Sequence, residues 1–467
     1  MENSKLIATI DIGSSKIVAA AGKKDLHKII SVVAIEKEDS ENSVRRGCVY
    51  NVDETSKKIG SLIQKLNHKL KDKIEKIYVG TGGQSLRTEV YSVVEEGAES
   101  MLVTHRILDS LKEKCLAYVP EFADILDIVS PEYFLDGKSE TNPIGVNCKK
   151  IEVKYQLILG RPSIKRNLYN CITEKNNIKI AGYIISPLAT AQVVLTDSEK
   201  NLGCVLVEFG AGVTYLSIYK SGLLKYMVTI PLGGNVITRD ICDLNILEKD
   251  AEDLKIKYGS ALVDAGNDEN ASPAAIKISN SSYNSMEIDV EKLNDIIEAR
   301  ANEIIANIIH QIDISSFSNS LGSGIVITGG GACLKNLAES IEQQAKQKVR
   351  IAYVREDLLD EKSYEYGKIP GNEVTFGLLD LGTENCLKAK TEVKQPTTSV
   401  HSQGNLFGEI EPPVQKEKEK TGQTAVQKEN PVVKPTQPPV QTPKRGNIFK
   451  KIFEQGAKSL FDDEDNH

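Results

Sequence analysis

The sequence predicts an α/β protein with two related domains, followed by a tail that forms no domain of its own. Three observations lead to this prediction. A strand–turn–strand pattern occurs twice, nearly all alternating apolar segments lie before about residue 385, and the remainder is rich in proline and charge. A chain of 467 residues is long enough for about three domains. The repeated pattern carries most of the information about function.

Residues 6–20 and 204–218 share one layout: an apolar strand, an acid, a Gly-rich turn and a second apolar strand. The acid is Asp11 in the first copy and Glu208 in the second. Gly lacks Cβ and tolerates positive φ, so backbone N–H groups in such turns can approach an anion closely. One copy alone is usually an ordinary hairpin. Two facing copies could hold a nucleotide from both sides.

Composition excludes several other classes of protein. The eight cysteines occur singly, without a CxxC or a Cys/His cluster, which predicts reduced thiols rather than a zinc site or disulfide framework. The net charge is −7 and no basic patch with interleaved aromatic residues is present, which argues against nucleic acid as a partner. We find no signal peptide and no run of 18 apolar residues, so we expect a protein that is neither secreted nor membrane-spanning.

Residues 386–443 are predicted to be a disordered linker. They are rich in Lys, Glu, Gln and Thr and hold half of the 16 prolines. Such a composition cannot bury enough apolar surface to offset the entropy of ordering. A flexible chain of this length spans on the order of 40 Å, from about 5–6 Å × √n.

Residues 444–461 are predicted to form an amphipathic helix that lies in a membrane interface. Its lysines lie opposite a broad apolar face, as in helices that bind anionic bilayers. The predicted membrane residues are Ile448, Phe449, Lys450, Lys451, Ile452, Phe453 and Leu460. The alternative is a helix that packs on the body or on a partner protein. Four acids at 462–465 should weaken binding to an anionic bilayer.

The repeated hairpin resembles that of the actin-like superfamily, in which two ribonuclease-H-like domains hold ATP and Mg²⁺ between them. Other stretches occur in the matching order. Residues 186–191 resemble the first interdomain connecting segment, residues 251–259 a helix that reaches the ribose and adenine, and residues 324–332 the adenosine-contacting loop. The resemblance therefore implies an actin-like two-domain fold with ATP and Mg²⁺ as cofactors.

Residues 80–86 and 142–160 resemble the extra subdomain, called 1C, of the bacterial cell-division family FtsA, and the resemblance runs from about residue 5 to 385. It implies the following organisation. Residues 1–83 and 161–203 form domain 1 (1A), residues 84–160 subdomain 1C, and residues 204–385 domain 2 (2A), with a 2B insertion at about 245–320.

The resemblance also implies which residues bind the cofactors. Asp11 is the expected Mg²⁺ residue. The expected cofactor-binding residues are Asp11, Gly13, Ser14, Ser15, Lys16, Gly210, Gly212, Val213, Thr214, Glu252, Lys255, Gly329, Gly330 and Gly331.

Three positions depart from the superfamily pattern for hydrolysis. Ser186 replaces a Glu or Gln, Glu208 replaces the commoner Asp, and Ala211 replaces an Asp or Gly. Hydrolysis in this fold depends on polar groups that position the attacking water. We therefore expect ATP to be a conformational ligand with slow or undetectable hydrolysis, and we assign no catalytic residue.

For function, the resemblance implies an adaptor at the cytoplasmic face of the cell membrane, at the division septum. Such a protein polymerises, binds the C-terminal peptide of FtsZ, tethers the FtsZ ring and recruits later division proteins. The candidate FtsZ surface is the helical run 290–309 with Arg300, which could equally be a solvated charge. The alternative is a sugar or acetate kinase of the same superfamily, which would have no use for the tail.

Overall fold

The computed structural model describes residues 5–262, 274–280 and 283–388. Its strands are β1 Leu6–Ile12, β2 Lys16–Lys24, β3 Ile30–Asp39, β4 Val44–Arg45, β5 Cys48–Val49, β6 Lys76–Thr81, β7 Arg87–Leu102, β8 Asp124–Leu135, β9 Lys138–Glu140, β10 Asn147–Gly160, β11 Lys179–Ile185, β12 Cys204–Phe209, β13 Thr214–Lys220, β14 Leu223–Ile230, β15 Ala275–Asn280, β16 Tyr283–Asp289, β17 Ile325–Thr328 and β18 Val349–Ile351.

The α-helices of the described residues are α1 Val52–Leu70, α2 His105–Leu116, α3 Ser163–Tyr169, α4 Ser186–Val194, α5 Asp197–Leu202, α6 Gly234–Ile241, α7 Glu248–Tyr258, α8 Val290–Ile314, α9 Leu337–Ala345, α10 Tyr364–Gly367 and α11 Glu373–Leu381.

The first predicted hairpin forms the centre of a five-stranded sheet with the order β11-β6-β1-β2-β3. Strands β1 and β2 pair antiparallel, whereas β6 lies parallel to β1 and β11 parallel to β6. Helix α1 buries Ile59, Leu62 and Leu66 in the core of this half. Asn51 begins α1 by accepting the N–H of Glu54 on its side-chain oxygen, which is a common way to satisfy a helix N-terminus.

The second predicted hairpin repeats this topology in a second sheet. Strands β12 and β13 pair antiparallel from Cys204 to Phe209, and β17 lies parallel to β12. The order of this nine-stranded sheet is β18-β17-β12-β13-β14-β7-β10-β8-β9. Helix α8 covers it with a buried face that includes Ile297, Ile304 and Ile308. The predicted duplication is thus confirmed as a repeated arrangement of strands.

Residues 84–160 have a core of their own but extend the second sheet. Strands β7, β8 and β10 pair antiparallel and, with α2, bury Leu111 and Ile151. Strand β7 joins β14 through the pair Arg87 and Val228, and the N–H of Thr229 donates to the carbonyl of Leu86 at 3.0 Å. The strand pattern alone did not indicate which sheet this segment would join.

Helices α4 and α11 cross where the two halves meet. A Cβ on Gly377 of α11 would lie 2.0 Å from the carbonyl oxygen of Ala189 in α4, so only glycine permits this approach. The predicted connecting segment 186–191 is the first part of α4. Helix α11 packs on strands of the five-stranded sheet, and α4 contacts both that sheet and β12 of the second sheet.

The folded body continues to Lys388. Cys386 is buried, its N–H donates to the carbonyl of Leu6 at 2.8 Å, and Leu387 bridges to Ile74. The rest of the predicted linker 386–443 and the predicted helix 444–461 lie outside the described residues. The domain boundaries given above stay predictions.

Candidate functional site

A cleft of about 1010 Å³ lies between the two hairpin turns. All the expected cofactor-binding residues except Thr214 line it. Thr214 is fully buried, and its hydroxyl donates to the carbonyl of Leu232 at 2.8 Å, which ties β13 to the loop that follows β14. The resemblance implied that Thr214 binds the cofactor, but its side chain belongs to the core of the hairpin.

The first turn is short and held from both sides. The N–H of Gly13 donates to the carbonyl of Lys16 at 3.0 Å, and a Cβ on Gly13 would lie 3.0 Å from that same oxygen. The hydroxyl of Ser40 donates to the carbonyl of Gly13 at 2.6 Å. Ser14 Oγ accepts the N–H of Gly47 at 2.8 Å. These hydrogen bonds fix the conformation of the turn, whose backbone lines the cleft.

Asp11 and Lys16 are the charged groups of this turn. Burial raises the pKa of Asp11 to about 6, against the opposing effect of the Lys16 charge. Burial lowers the pKa of Lys16, while the charges of Asp11 and Glu373 act in the other direction. A cation beside Asp11, or an anion beside Lys16, would offset the cost of keeping these groups charged at partly dehydrated positions.

The second turn has the same internal bond and a further contact with α6. The N–H of Gly210 donates to the carbonyl of Val213 at 2.9 Å, as Gly13 does to Lys16. The N–H of Gly234, the first residue of α6, donates to the carbonyl of Gly210 at 3.0 Å. A Cβ on Gly212 would lie 2.4 Å from Ser14 Oγ, so the two turns touch across the cleft.

The expected adenosine loop follows β17. Gly329 has a φ of 89°, and a Cβ there would lie 2.6 Å from the carbonyl oxygen of Phe209. A Cβ on Gly331 would lie 3.0 Å from Phe209 Cβ, whereas Gly330 faces open space. The first and third glycines let the loop pack on β12, and the second leaves one side of the cleft free.

Helix α7 contributes Glu252 and Lys255 to the wall of the cleft. Lys255 Nζ donates to Glu252 Oε2 at 2.6 Å, to Thr238 Oγ1 at 2.7 Å and to the carbonyl of Gly234 at 3.0 Å. Thr238 also bonds Glu252. The ion pair is thereby fixed to α6, and Glu252 keeps about two-fifths of its side-chain surface exposed to the cleft.

The three positions that depart from the hydrolysis pattern also line the cleft. A Cβ on Gly80 would lie 3.0 Å from Asp11 Oδ1 and 3.1 Å from Ser186 Oγ, so Asp11 and Ser186 flank the same point. Burial raises the pKa of Glu208 to about 8, and the charges of Glu373 and Asp11 add to this effect. Glu208 Oε2 has no hydrogen-bond partner among the described residues.

Several parts of the cleft were not predicted from the sequence. Residues 39–47, from the last residue of β3 to the residue before β5, contribute Asp39, Glu41, Asn42 and Gly47 to its wall. Only their polar composition, which is typical of a loop, could have indicated that these residues lie at a binding site. Tyr215 was missed because it reads as a strand residue, yet its hydroxyl accepts the N–H of Gly83 at 2.7 Å across the two halves.

Arg300, the candidate contact for FtsZ, lies on α8 in an ion-pair network. Its Nε donates to Asp240 Oδ2 at 2.5 Å, and its guanidinium also pairs with Glu303. Its side chain is 30% exposed. The predicted membrane residues lie outside the described residues. Among the described helices, none is long and apolar enough to cross a membrane.

Comparison with solved structures defines the class of protein. The PilM–PilN type IV pilus biogenesis complex aligns with a TM-score of 0.54 at 13% identity, and the alignment covers 81% of this chain and 98% of that chain. The repeated hairpin, the parallel strand beside each copy and the cleft between them define an actin-like, two-domain fold.

Sequence comparison defines the family. The model of the family "Cell division protein FtsA" matches residues 205–367. The FtsA of Porphyromonas gingivalis is 33% identical over 390 residues, which is 82% of this chain and 79% of the relative. The FtsA of Neisseria meningitidis serogroup B is 28% identical over 73% of this chain and 82% of the relative. The chain belongs to the FtsA family of cell-division proteins.

Proposed function

We propose that the chain is an ATP-binding division protein that polymerises, tethers the FtsZ ring to the cytoplasmic face of the cell membrane at the septum, and recruits later division proteins. Nucleotide binding rests on the contact of the two turns at Ser14 and Gly212, with a cleft of about 1010 Å³ beside them. Membership of the FtsA family supports the adaptor over a sugar or acetate kinase.

The residues of the cleft fit Mg²⁺ and ATP. Mg²⁺ is usually held by one or two carboxylates together with phosphates and water. Asp11 supplies one buried carboxylate, and the described residues contain no group of three acidic, His or Cys side chains that would make an all-protein site. Bound Mg²⁺ would neutralise phosphate charge, and Asp11 would hold it.

The two turns would hold the phosphates from opposite sides. Ser14, Ser15 and Lys16 would bind phosphate oxygens from one side, and residues 211–213 would bind them from the other with backbone N–H groups, since the N–H of Gly210 already donates to Val213. Glu252 and Lys255 would bind the ribose and adenine, and residues 329–331 would contact the base. The fixed ion pair on α7 limits the side-chain entropy lost on binding.

The chemistry of the cleft favours binding over turnover. A general base must be unprotonated near neutral pH. Glu208, with a pKa of about 8, keeps its proton there, Ser186 has only a hydroxyl, and Ala211 has no polar group. These residues orient an attacking water poorly, so ATP acts mainly as a structural or conformational ligand with slow hydrolysis.

FtsZ binds on the 2B insertion, residues 245–320. Arg300 is held by Asp240 and Glu303, so it is oriented before a partner arrives. An acidic peptide would have to compete with these two carboxylates. The remaining subdomain boundaries are those given from the sequence: 1A, 1C, 2A, linker and membrane helix.

Thermal unfolding with ATP and Mg²⁺ tests the nucleotide site. A ligand that binds only the folded state adds about 2.7 kcal/mol at a concentration 100-fold above Kd. We expect this rise in the unmodified chain and its loss in Asp11→Ala. Asp109→Ala, on the exposed face of α2, is the matched control and should keep the rise. The absence of any rise at millimolar ATP in the unmodified chain would refute nucleotide binding.

Vesicle co-sedimentation tests the membrane anchor. Phe449→Glu with Phe453→Glu places charge on the predicted apolar face, which costs binding energy in hydrocarbon. We expect release from vesicles with no change in the melting temperature of the body. Gln437→Glu with Gln441→Glu makes the same charge change in the linker and should remain bound. If both double variants stay bound equally, the helix is not the anchor.

A further inference from the structure

One end of the five-stranded sheet is rich in lysine. Strands β1, β6 and β11 run parallel and begin at this end, and β2 returns to it, because Leu6 pairs with Lys23. The Gly-rich turn at 13–15 lies at the opposite end. The lysines of this end, called the basic end below, are Lys5, Lys23, Lys24, Lys28, Lys71, Lys73, Lys76, Lys179 and Lys388.

Fewer carboxylates than lysines lie at this end. The same segments hold Asp25, Asp72, Glu75, Asp380 and Glu384, and Asp360 and Glu361 lie beside the start of β3, where the N–H of Asp360 donates to the carbonyl of Ile30. Three of these acids pair with lysines: Glu384 with Lys76 at 2.7 Å, Glu75 with Lys179 and Asp380 with Lys24, each at 3.5 Å. The exposed side chains of Lys23, Lys71 and Lys73 have no ion pair among the described residues. The basic end is therefore positive in a chain of net charge −7.

An apolar side chain projects from the same end. Leu26, at the tip of the β2–β3 hairpin, is 89% exposed. Asp25 Oδ1 accepts the N–H groups of His27 and Ile29, both at 2.8 Å, which holds the tip in one shape. The loop therefore presents a leucine to solvent between Lys24 and Lys28.

The chain also leaves the body at this end. Lys5 Nζ donates to the carbonyl of Thr383 at 3.0 Å, and the N–H of Lys388 donates to the carbonyl of Lys73 at 3.1 Å. The segment that carries the predicted membrane helix thus begins among the lysines. A membrane bound by that helix would be within reach of the basic end.

We infer that the basic end is a second membrane contact, which lies against anionic phospholipid with Leu26 in the interface. Lysines can keep their ammonium groups at the headgroups while an apolar side chain enters the acyl boundary. The tail raises the local concentration of lipid near the body, so a weak second contact becomes effective. This inference rests on the proposed membrane attachment. It orients the cleft away from the bilayer.

A tryptophan reporter tests contact directly, because the chain contains no tryptophan. Leu26→Trp in the full chain should show a blue-shifted emission with vesicles of phosphatidylcholine and phosphatidylglycerol. Phe122→Trp is the matched control, since Phe122 is 94% exposed. It precedes β8, in which Asp124 pairs with Gly160 at the end of β10, and this pair lies away from the basic end. An unshifted emission at position 26, or an equal shift at both positions, overturns the inference.

A charge variant tests the lysines. Lys23→Gln, Lys71→Gln and Lys73→Gln together should lower partitioning onto the anionic vesicles by roughly 10- to 100-fold at low salt, from the usual contribution of a lysine near an anionic surface. The loss should shrink at high salt, because the attraction is screened. Lys112→Gln, Lys257→Gln and Lys346→Gln make the same charge change on exposed lysines elsewhere and should bind like the unmodified chain.

The outcomes separate this inference from the proposed function. If the unmodified chain binds no vesicles, membrane attachment itself is wrong. If it binds and the Lys23, Lys71 and Lys73 variant binds equally well, only the second contact is wrong. If that variant keeps vesicle binding but loses binding to FtsZ, the basic end docks an acidic protein, and the inference is likewise overturned.

Discussion

Glu208 gives the sharpest test of how the cleft is built. It is the acid of the second hairpin, and burial raises its pKa from 4.5 to about 8. Between these two pH values the unfolded chain carries an ionised Glu208 and the folded chain a protonated one. The unfolded state then binds fewer protons, so the free energy of unfolding falls as the pH rises from about 4.5 to 8 and levels off above that.

The size of this effect follows from the shift. One pKa unit corresponds to about 1.4 kcal/mol, so a shift of this size lowers the free energy of unfolding by at most about 5 kcal/mol. About 4 kcal/mol of this decrease occurs between pH 5 and pH 8. Glu208→Gln is nearly isosteric and cannot ionise. We expect it to remove this part of the pH dependence and to be more stable than the unmodified chain at pH 8.

Urea unfolding without nucleotide at pH 5, 6, 7 and 8 measures the difference. Asp11, whose pKa is also raised by burial, is present in both proteins, so only its charge interaction with Glu208 differs between them. Glu113→Gln, on the exposed face of α2, keeps the buried acid and should retain the unmodified profile. Parallel profiles for the unmodified chain and Glu208→Gln would show that Glu208 is not held protonated, and its carboxylate could then act as a general base near neutral pH.

Three further outcomes are expected. Phosphate release should be far slower than the 1–100 s⁻¹ typical of kinases, and Ser186→Glu should speed it if a missing water-orienting group is limiting; fast release by the unmodified chain would contradict this. Gly377→Ala should lower the free energy of unfolding by about 3 kcal/mol or more, since its Cβ would meet the carbonyl of Ala189 at 2.0 Å; a neutral effect in urea would show that α4 and α11 can separate. Tyr215→Phe should cost about 1–3 kcal/mol, because it leaves the buried N–H of Gly83 without its acceptor; wild-type stability would mean that water replaces the hydroxyl.

Much of the candidate site was predictable because its chemistry is local. The repeated strand–turn–strand pattern located the two turns, the resemblance to the actin-like superfamily implied Asp11, Lys16 and the glycines as binding residues, and the structure brings them to one cleft. Thr214 shows the limit of this reasoning. It directly follows the turn, but strand alternation directs its side chain into the core, where it bonds Leu232.

The sequence by itself determined the duplicated hairpin, because strand alternation and glycine in tight turns act over a few residues, and it indicated the family through the order of its motifs. The character of the tail stays a prediction from composition. Tertiary structure alone decided that residues 84–160 extend the second sheet, that Tyr215 reaches Gly83, and that the lysines of separate segments gather at one end. Each of these depends on which strands become neighbours. That choice joins residues far apart in the chain, and it follows from the packing of the whole fold rather than from any local pattern.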